Sequence, residues 1–175
     1  PRTIDHMTLE IDDFALGTLR FGALSARLEP VPRGITAPSI ETTSAAFSIS
    51  ADGDWLVAGA NSDDQVSRLK LKLDSNDIQT TLAELGYDPI IEGDKGAAQA
   101  NLGWPAAPSR DFLKDANGEF SIRIDQGALL EVEPGGGRLL GVLSIASLPR
   151  RLALDFRDVF DEGLAFDVLQ GNFSL

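Results

Sequence analysis

Cysteine is absent from the 175 residues, and histidine occurs once, at position 6. Without cysteine the chain has no disulfide, no thiolate nucleophile and no cysteine ligand for zinc. A catalytic triad needs a base, which is usually histidine, and His6 lies alone beside a segment of alternating polarity. We therefore interpret His6 as a polar surface residue of a strand. The sequence predicts no catalytic residue and no cofactor.

Positive charge is scarce: the sequence has 15 Lys and Arg residues and 27 Asp and Glu residues, so the net charge is −12. An acidic surface repels nucleic-acid phosphates and anionic membrane surfaces, so we expect no nucleic-acid partner. Acidic pairs such as Asp12-Asp13 are typical of solvated turns and strand edges. The acidic loops at 52–54 and 115–118 lack the ligand spacing and closing glutamate of a calcium loop, so no metal site is predicted.

Long apolar runs are also missing. The longest, at 139–148, would span about 15 Å as a helix, half of the ~30 Å hydrocarbon core of a bilayer. The sequence therefore predicts no transmembrane helix and no signal peptide. It begins with Pro1 and its one methionine is Met7. We interpret the chain as an internal piece of a longer protein, with any membrane anchor elsewhere.

Alternation of apolar and polar residues is the dominant pattern, and it is typical of strands with one buried face. It is clearest in 7–12, 44–50, 66–73 and 119–125, and weaker in 18–28, 35–41, 54–60, 95–104, 151–157 and 165–175. The spacing predicts a mainly β fold with a few short helices: a curved, twisted antiparallel sheet that forms an open groove, its apolar face partly covered by a helix. We expect these side chains on the apolar side: Leu69, Leu71, Leu73, Phe120, Ile122, Ile124, Leu139, Leu143, Leu152, Leu154 and Phe156.

Turn signals separate these segments. They are Glu29-Pro30-Val31-Pro32, Asp52-Gly53, Asn61-Ser62-Asp63, Asn117-Gly118 and Gln126-Gly127. Two helices are predicted, at 77–85 with Ser75 and Asn76 as caps, and at 138–148, whose apolar residues surround it and indicate burial. We expect one unit over 1–175, with a soft boundary near 88–96. The glycines at 135–137 lack P-loop or Rossmann spacing, which favours a flexible helix entry over a phosphate site.

Residues 93–175 resemble the YhdP family, which belongs to the AsmA-like group together with TamB and YdbH. The resemblance is strongest in Leu148-Pro149-Arg150-Arg151-Leu152 and in Leu154-Asp155-Phe156-Arg157-Asp158. Further matching segments are 137–141, 159–160, Gly163, Phe166-Asp167, Gly171, and the stretch from Gly93 to Gly118 that contains Leu102-Gly103-Trp104-Pro105. The first ninety residues are compatible with the family's strand-rich pattern.

The resemblance implies a periplasmic segment of a protein anchored in the inner membrane of a Gram-negative bacterium. It further implies a role in phospholipid transport to the outer membrane and in outer-membrane permeability, with acyl chains on the apolar face as partners. The rest of the same chain, and other envelope proteins, are further expected partners. No catalytic residue belongs to the family pattern.

The periodicity leaves two alternatives open, because a filled core and an open groove need the same alternation. One is a protein-interaction or scaffolding module without a lipid channel. The other is a carbohydrate-acting β-sandwich, which would require two carboxylates facing each other across a cleft.

Overall fold

The computed structural model describes residues 5–57, 64–109, 112–130 and 164–175. Most of these residues are in strands. The strands are β1 (Met7–Leu16), β2 (Leu19–Val31), β3 (Gly34–Thr43), β4 (Phe47–Val57), β5 (Gln65–Ser75), β6 (Ile91–Trp104), β7 (Asn117–Leu129) and β8 (Leu164–Ser174). One α-helix, α1 (Ile78–Glu84), connects β5 to β6, and a short 3-10 helix at Phe112–Lys114 lies between β6 and β7.

All eight described strands form one sheet in chain order, and each pairs antiparallel with the next. The sheet of described strands does not close, because among them β1 pairs only with β2 and β8 only with β7. The prediction of a mainly β, curved antiparallel sheet is confirmed. The predicted segments 151–157 and 138–148 lie outside the described residues.

The predicted alternation places apolar side chains on one face of the sheet. Successive residues of a strand point to opposite faces, so paired residues in neighbouring strands share a face. On β5, Leu69, Leu71 and Leu73 are half-buried, whereas Arg68 and Lys70 on the other face are exposed. The sheet therefore has an apolar and a polar face.

Two predicted turns are wrong, because they lie inside strands. Asp52 and Gly53 belong to β4, where Asp52 pairs with Lys70, so residues 47–50 and 54–57 of two separately predicted segments are parts of one strand. A Cβ at Gly53 would lie 2.6 Å from the carbonyl oxygen of Arg68. Glycine here permits a close approach of backbones, which local sequence does not distinguish from a turn.

The Gln126-Gly127 signal marks a local irregularity of β7 and not its end. Gln126 has φ of 53° and is missing from the ladder, while Asp125 and Gly127 on either side still pair with β6 and β8. The true turn after β2 also differs from the prediction, since Val31 pairs with Gly34 around Pro32 and Arg33. Arg33 has φ of 90° there.

The predicted helix at 77–85 is present as α1, with Asp77 rather than Ser75 or Asn76 as its N-cap. The backbone N–H of Thr80 donates to Asp77 Oδ1 at 2.9 Å. Ser75 instead accepts a hydrogen bond from the Asp77 backbone N–H. The helix ends before Gly86, whose φ of 78° reverses the chain.

The buried core includes two clusters on the apolar face near α1. Ala46, Phe47 and Ile49 form one of them, with Leu85 packed against it from the helix end. The second cluster joins Ile78 of α1 to Ile91 and Ile124 of the sheet. Leu24, Ala26, Leu102 and Trp104 are buried as well, outside these clusters, so the core is not confined to the region under the helix.

Candidate functional site

A row of apolar residues crosses the entire described sheet at right angles to the strands. Strand register makes each member the partner of the next. From β1 to β8 the row is Leu9, Ala26, Ile40, Ala51, Leu71, Ala100, Phe120 and Phe173. With strands spaced about 4.8 Å apart, eight strands make this row about 34 Å long.

Apolar rows flank it on the same face. On the α1 side the residues are Ile11, Leu24, Thr42, Ile49, Leu73, Ala98, Ile122 and Gly171. On the other side they are Ala37, Gly53, Leu69, Leu102 and Gly118. We call these three rows the apolar band. No charged residue belongs to it, and Thr42 is its one polar side chain.

Helix α1 covers the band at one end of the strands. Ile78 contacts Ile124, which is 2% exposed. The hydroxyls of Ser75, at the end of β5, and Thr81, on α1, are 2.8 Å apart and buried. The helix therefore rests on the apolar face and is fixed to it by both apolar and polar contacts.

The connection between β6 and β7 covers the opposite ends of the strands. The Ser67 hydroxyl donates to the carbonyl oxygen of Ala106 at 2.7 Å, and the Trp104 indole N–H donates to that of Ala107 at 3.2 Å. The ring of Phe112 packs on that of Trp104 with centroids 4.8 Å apart. Both ends of the apolar face are thus covered by chain.

Burial along β5 is the reverse of what side-chain polarity predicts. Ser67 is 1% and Ser75 is 7% exposed, whereas Leu69, Leu71 and Leu73 between them are only half-buried. Leucine is normally among the residues most often buried and serine among those mostly exposed. On β5 the middle of the band is therefore an apolar surface left partly open between two covered ends.

The structure brings together six of the residues predicted to face the apolar side. Leu69, Leu71, Leu73, Phe120, Ile122 and Ile124 all lie on this face. Ile124 differs from the others because α1 buries it. The remaining five, Leu139, Leu143, Leu152, Leu154 and Phe156, lie outside the described residues.

Sequence reasoning missed the small members of the band. Ala51 and Ala100 lie at its centre, beside Leu71. In β6 the alternation is weak, because Ala97 on the polar face is as apolar as Ala98 and Ala100 on the other. Only the pairing of β6 with β5 and β7 assigns Ala98 and Ala100 to the apolar face, and the pattern of a single strand does not contain that register.

An open depression of about 840 Å³ crosses β3 to β8. Its lining includes the central row from Ile40 to Phe173 and the polar rows on either side of it, with Lys70 and Lys72 on β5. The neighbouring apolar residues Leu69 and Leu73 do not line it. The depression therefore opens toward charged and amide side chains, and it shares only the central row with the apolar band.

The titratable groups of the described residues give no sign of a reaction centre. His6 is exposed and lies one residue before β1, and no cluster of metal-ligating side chains occurs in the described ranges. Two hydrogen bonds from Thr80, first from its backbone N–H and then from its hydroxyl, lower the pKa of the helix cap Asp77 below its ordinary 3.8. That shift belongs to the helix end. No described helix is long and apolar enough to cross a membrane.

Comparison with known sequences places the band in a family context. The family model described as "YhdP protein" matches residues 1–175. The chain belongs to the YhdP family. The predicted resemblance is therefore confirmed, and the match includes the first ninety residues, where the sequence pattern alone was not diagnostic.

A relative in Escherichia coli (strain K12) is named "Intermembrane phospholipid transporter YhdP". The two sequences are 31% identical over 123 residues, which are 70% of this chain and 10% of that protein. The chain thus spans about a tenth of the relative's length. No solved structure matches the chain.

Proposed function

We propose that this member of the YhdP family is a phospholipid-conducting segment whose apolar band carries acyl chains across the strands of the sheet. The observation that carries the proposal is the reversed burial on β5. Leucines at the centre of the sheet keep apolar surface accessible, although serines on the same face are buried. An apolar surface held open between two covers is suited to an apolar ligand.

The dimensions of the band agree with this ligand. One leaflet of a bilayer is about 15 Å of hydrocarbon, half of the ~30 Å core, so a row of about 34 Å is longer than one extended acyl chain. From Leu69 to Leu73 the open part measures about 14 Å along the strand, at about 3.4 Å per residue.

The energetics require no specific headgroup contact. Each buried CH₂ contributes about 0.8 kcal/mol, so ten of them contribute about 8 kcal/mol. Because the band has no charged residue, no fixed charge would hold a headgroup at one place. Acyl chains would slide along the row without any bond being made or broken.

The name of the Escherichia coli relative supports phospholipid as the ligand class. From the same kinship we infer a periplasmic location in an inner-membrane-anchored protein, and a contribution to outer-membrane permeability. From the sequence pattern, Leu139, Leu143, Leu152, Leu154 and Phe156, which lie outside the described residues, are also proposed to contact lipid.

A matched pair of substitutions tests the proposal in the full-length protein. Ala100→Asp places a carboxylate in the central row with little loss of packing, and Gln99→Asp places the same charge one residue away on the polar face. A photo-cross-linking residue at Phe120, the partner of Ala100, reports local contact with ³²P-labelled phospholipid.

We expect a lipid adduct at position 120 in the parent protein and in Gln99→Asp, and its loss in Ala100→Asp. An unchanged adduct in Ala100→Asp, in protein that remains folded, would contradict the proposal. Absence of any adduct at position 120 in the parent would favour the scaffolding module without a lipid channel.

A further inference from the structure

We propose that α1 is a fixed wall of the lipid path: it occupies one side of the apolar band permanently and confines acyl chains to the open middle. This inference rests on the proposed function, because it assigns the positioning of the same ligand. The alternative is a lid that leaves the sheet when lipid arrives. The buried contacts that α1 makes with the sheet favour a fixed wall over a lid that moves away.

The sheet is shaped to receive the first residue of α1. Gly93 and Gly96 of β6 lie under Ile78, and a Cβ at Gly96 would overlap with Ile78 Cδ1. Ile78 also contacts Ile91 and Ile124, both buried. The two glycines provide a seat that the Ile78 side chain fills, so leaving it would empty a packed site and cost cavity energy.

A buried polar contact fixes the helix from the other side. Thr81 Oγ1 lies 2.8 Å from Ser75 Oγ and donates to the carbonyl oxygens of Asp77 at 2.7 Å and Ala46 at 3.3 Å. The Asn76 backbone N–H also donates to the Ala46 carbonyl, at 2.9 Å. Polar groups buried beside an apolar cluster resist separation, because each needs a partner.

The far end of the helix is also held. Leu85, its C-cap, packs against the cluster of Ala46, Phe47 and Ile49, and a Cβ at Gly86 would come within 2.8 Å of Leu19 Cδ2 on β2. Seven helical residues are thus anchored at both ends and in the middle. The apolar surface beneath them is occupied by the protein itself.

An acyl chain on the band would therefore be confined between α1 on one side and the β6–β7 connection on the other. Phe47 and Ile124 are only 3% and 2% exposed under α1, so no acyl chain reaches them while the helix stays seated. On the side of the band opposite α1, the β6–β7 connection covers the strand ends at Ser67 of β5 and Trp104 of β6. Acyl chains contact the row that includes Leu71 and Phe120.

Labelling of the full-length protein with a phospholipid that carries a diazirine on its acyl chain tests the wall. In the parent protein we expect label on Leu71 and Phe120 and none on Phe47 or Ile124. The double variant Ile78→Ala with Leu82→Ala removes two apolar contacts of α1 with the second cluster. We expect label at Phe47 and Ile124 in this variant, and the parent pattern in the control Gln79→Ala.

A disulfide provides a second test, in which α1 is tied to the sheet instead of being loosened from it. The Ser75 and Thr81 oxygens lie 2.8 Å apart, so the two side chains point at each other, and the longer C–S bonds of cysteine would bring the sulfurs toward the ~2.05 Å of a disulfide. The 175 residues contain no other cysteine. In Ser75→Cys with Thr81→Cys, oxidation locks α1 to β5 and reduction releases it. A wall predicts the same label on Leu71 and Phe120 in both states.

The outcomes separate the two proposals. Label on Phe47 or Ile124 in the parent, an unchanged pattern in the double alanine variant, or loss of label on Leu71 upon oxidation would each overturn the wall alone. Absence of label from both Leu71 and Phe120 in the parent and in the double alanine variant would overturn the proposed function, and the wall with it.

Discussion

Thr42 is a polar residue in an otherwise apolar row, between Leu24 on β2 and Ile49 on β4. It is 5% exposed, and its hydroxyl has no hydrogen-bond partner in the part of the chain that the structure describes. A buried hydroxyl without a partner loses its hydrogen bonds to water and forms none within the protein, which costs free energy. The Thr42 hydroxyl therefore destabilises the fold, compared with an apolar side chain of the same shape.

Thr42→Val removes that hydroxyl and keeps the branched shape. We expect the free energy of unfolding to rise by about 1 kcal/mol, the lower end of the cost of an unsatisfied buried group. Urea denaturation of the 175-residue chain measures it. Thr43→Val is the matched control, because Thr43 is exposed on the other face. Equal effects of both substitutions would show that strand propensity, and not the hydroxyl, is responsible.

Gly118 and Gly103 are close together where β6 and β7 meet, and they make a second residue-level comparison. Gly118 has φ of 146°, and a Cβ there would overlap with the carbonyl oxygen of Asn101. At Gly103 the nearest atom to an added Cβ is 3.7 Å away. An added methyl group therefore clashes with backbone at Gly118 and has free space at Gly103.

We expect Gly118→Ala to lower the free energy of unfolding by about 2 kcal/mol through backbone strain, and Gly103→Ala to leave it nearly unchanged. Thermal denaturation of the two variants checks this. A smaller loss for Gly118→Ala than for Gly103→Ala would mean that the start of β7 readily adopts another backbone conformation.

Among the elements, α1 is too short to be stable alone, since isolated helices need about 12–15 residues. Its stability comes from the seat on β6 and from its N-cap. Asp77 receives hydrogen bonds from both the backbone and the hydroxyl of Thr80. These bonds favour the ionised carboxylate and lower its pKa below 3.8.

The cap predicts a pH dependence with a definite sign. Because the pKa is lower in the folded state, the stabilisation is present above pH 3.8 and is lost as pH falls through the folded value. We expect Asp77→Ala to cost about 1 kcal/mol at pH 7, with the difference from the parent shrinking below pH 3.8.

Asp77→Asn is the control, because an amide oxygen also caps a helix but does not titrate in this range. Urea denaturation at pH 7 and at lower pH compares the three proteins. A gap between the parent and Asp77→Ala that stays constant with pH would contradict the role of the charged cap.

For the whole molecule, the important feature is that the band reaches the free edge of the sheet. Leu9 in β1 is 40% exposed and Met7 beside it is 52% exposed, and β1 pairs only with β2 among the described strands. An exposed strand edge with apolar side chains is a template for further pairing.

We expect the isolated 175-residue chain to self-associate through β1 and Leu9→Lys to reduce the associated fraction. Thr8→Lys adds the same charge on the other face of the strand and should have less effect. Sedimentation velocity at several concentrations measures this. A monomeric parent, or an equal effect of both substitutions, would contradict the role of the apolar edge.

Local sequence determined much of this protein. Strand positions and the apolar face followed from a period of two, as in Leu69, Leu71 and Leu73, because side-chain direction alternates within a single strand. The helix at 77–85 followed from its apolar spacing and Gly86. Family membership was recognisable from the residues of 93–175, whereas the first ninety residues needed comparison across the whole chain.

Only the tertiary structure decided how these parts combine. It made Asp52-Gly53 part of a strand and aligned Ala51, Leu71 and Ala100 in one row, because register depends on residues in other strands. It buried Ser67 and Ser75 and left the leucines between them half-buried, because α1 and the β6–β7 connection fold back onto the two ends of β5. The open middle of the band is therefore a consequence of packing, which no single segment encodes.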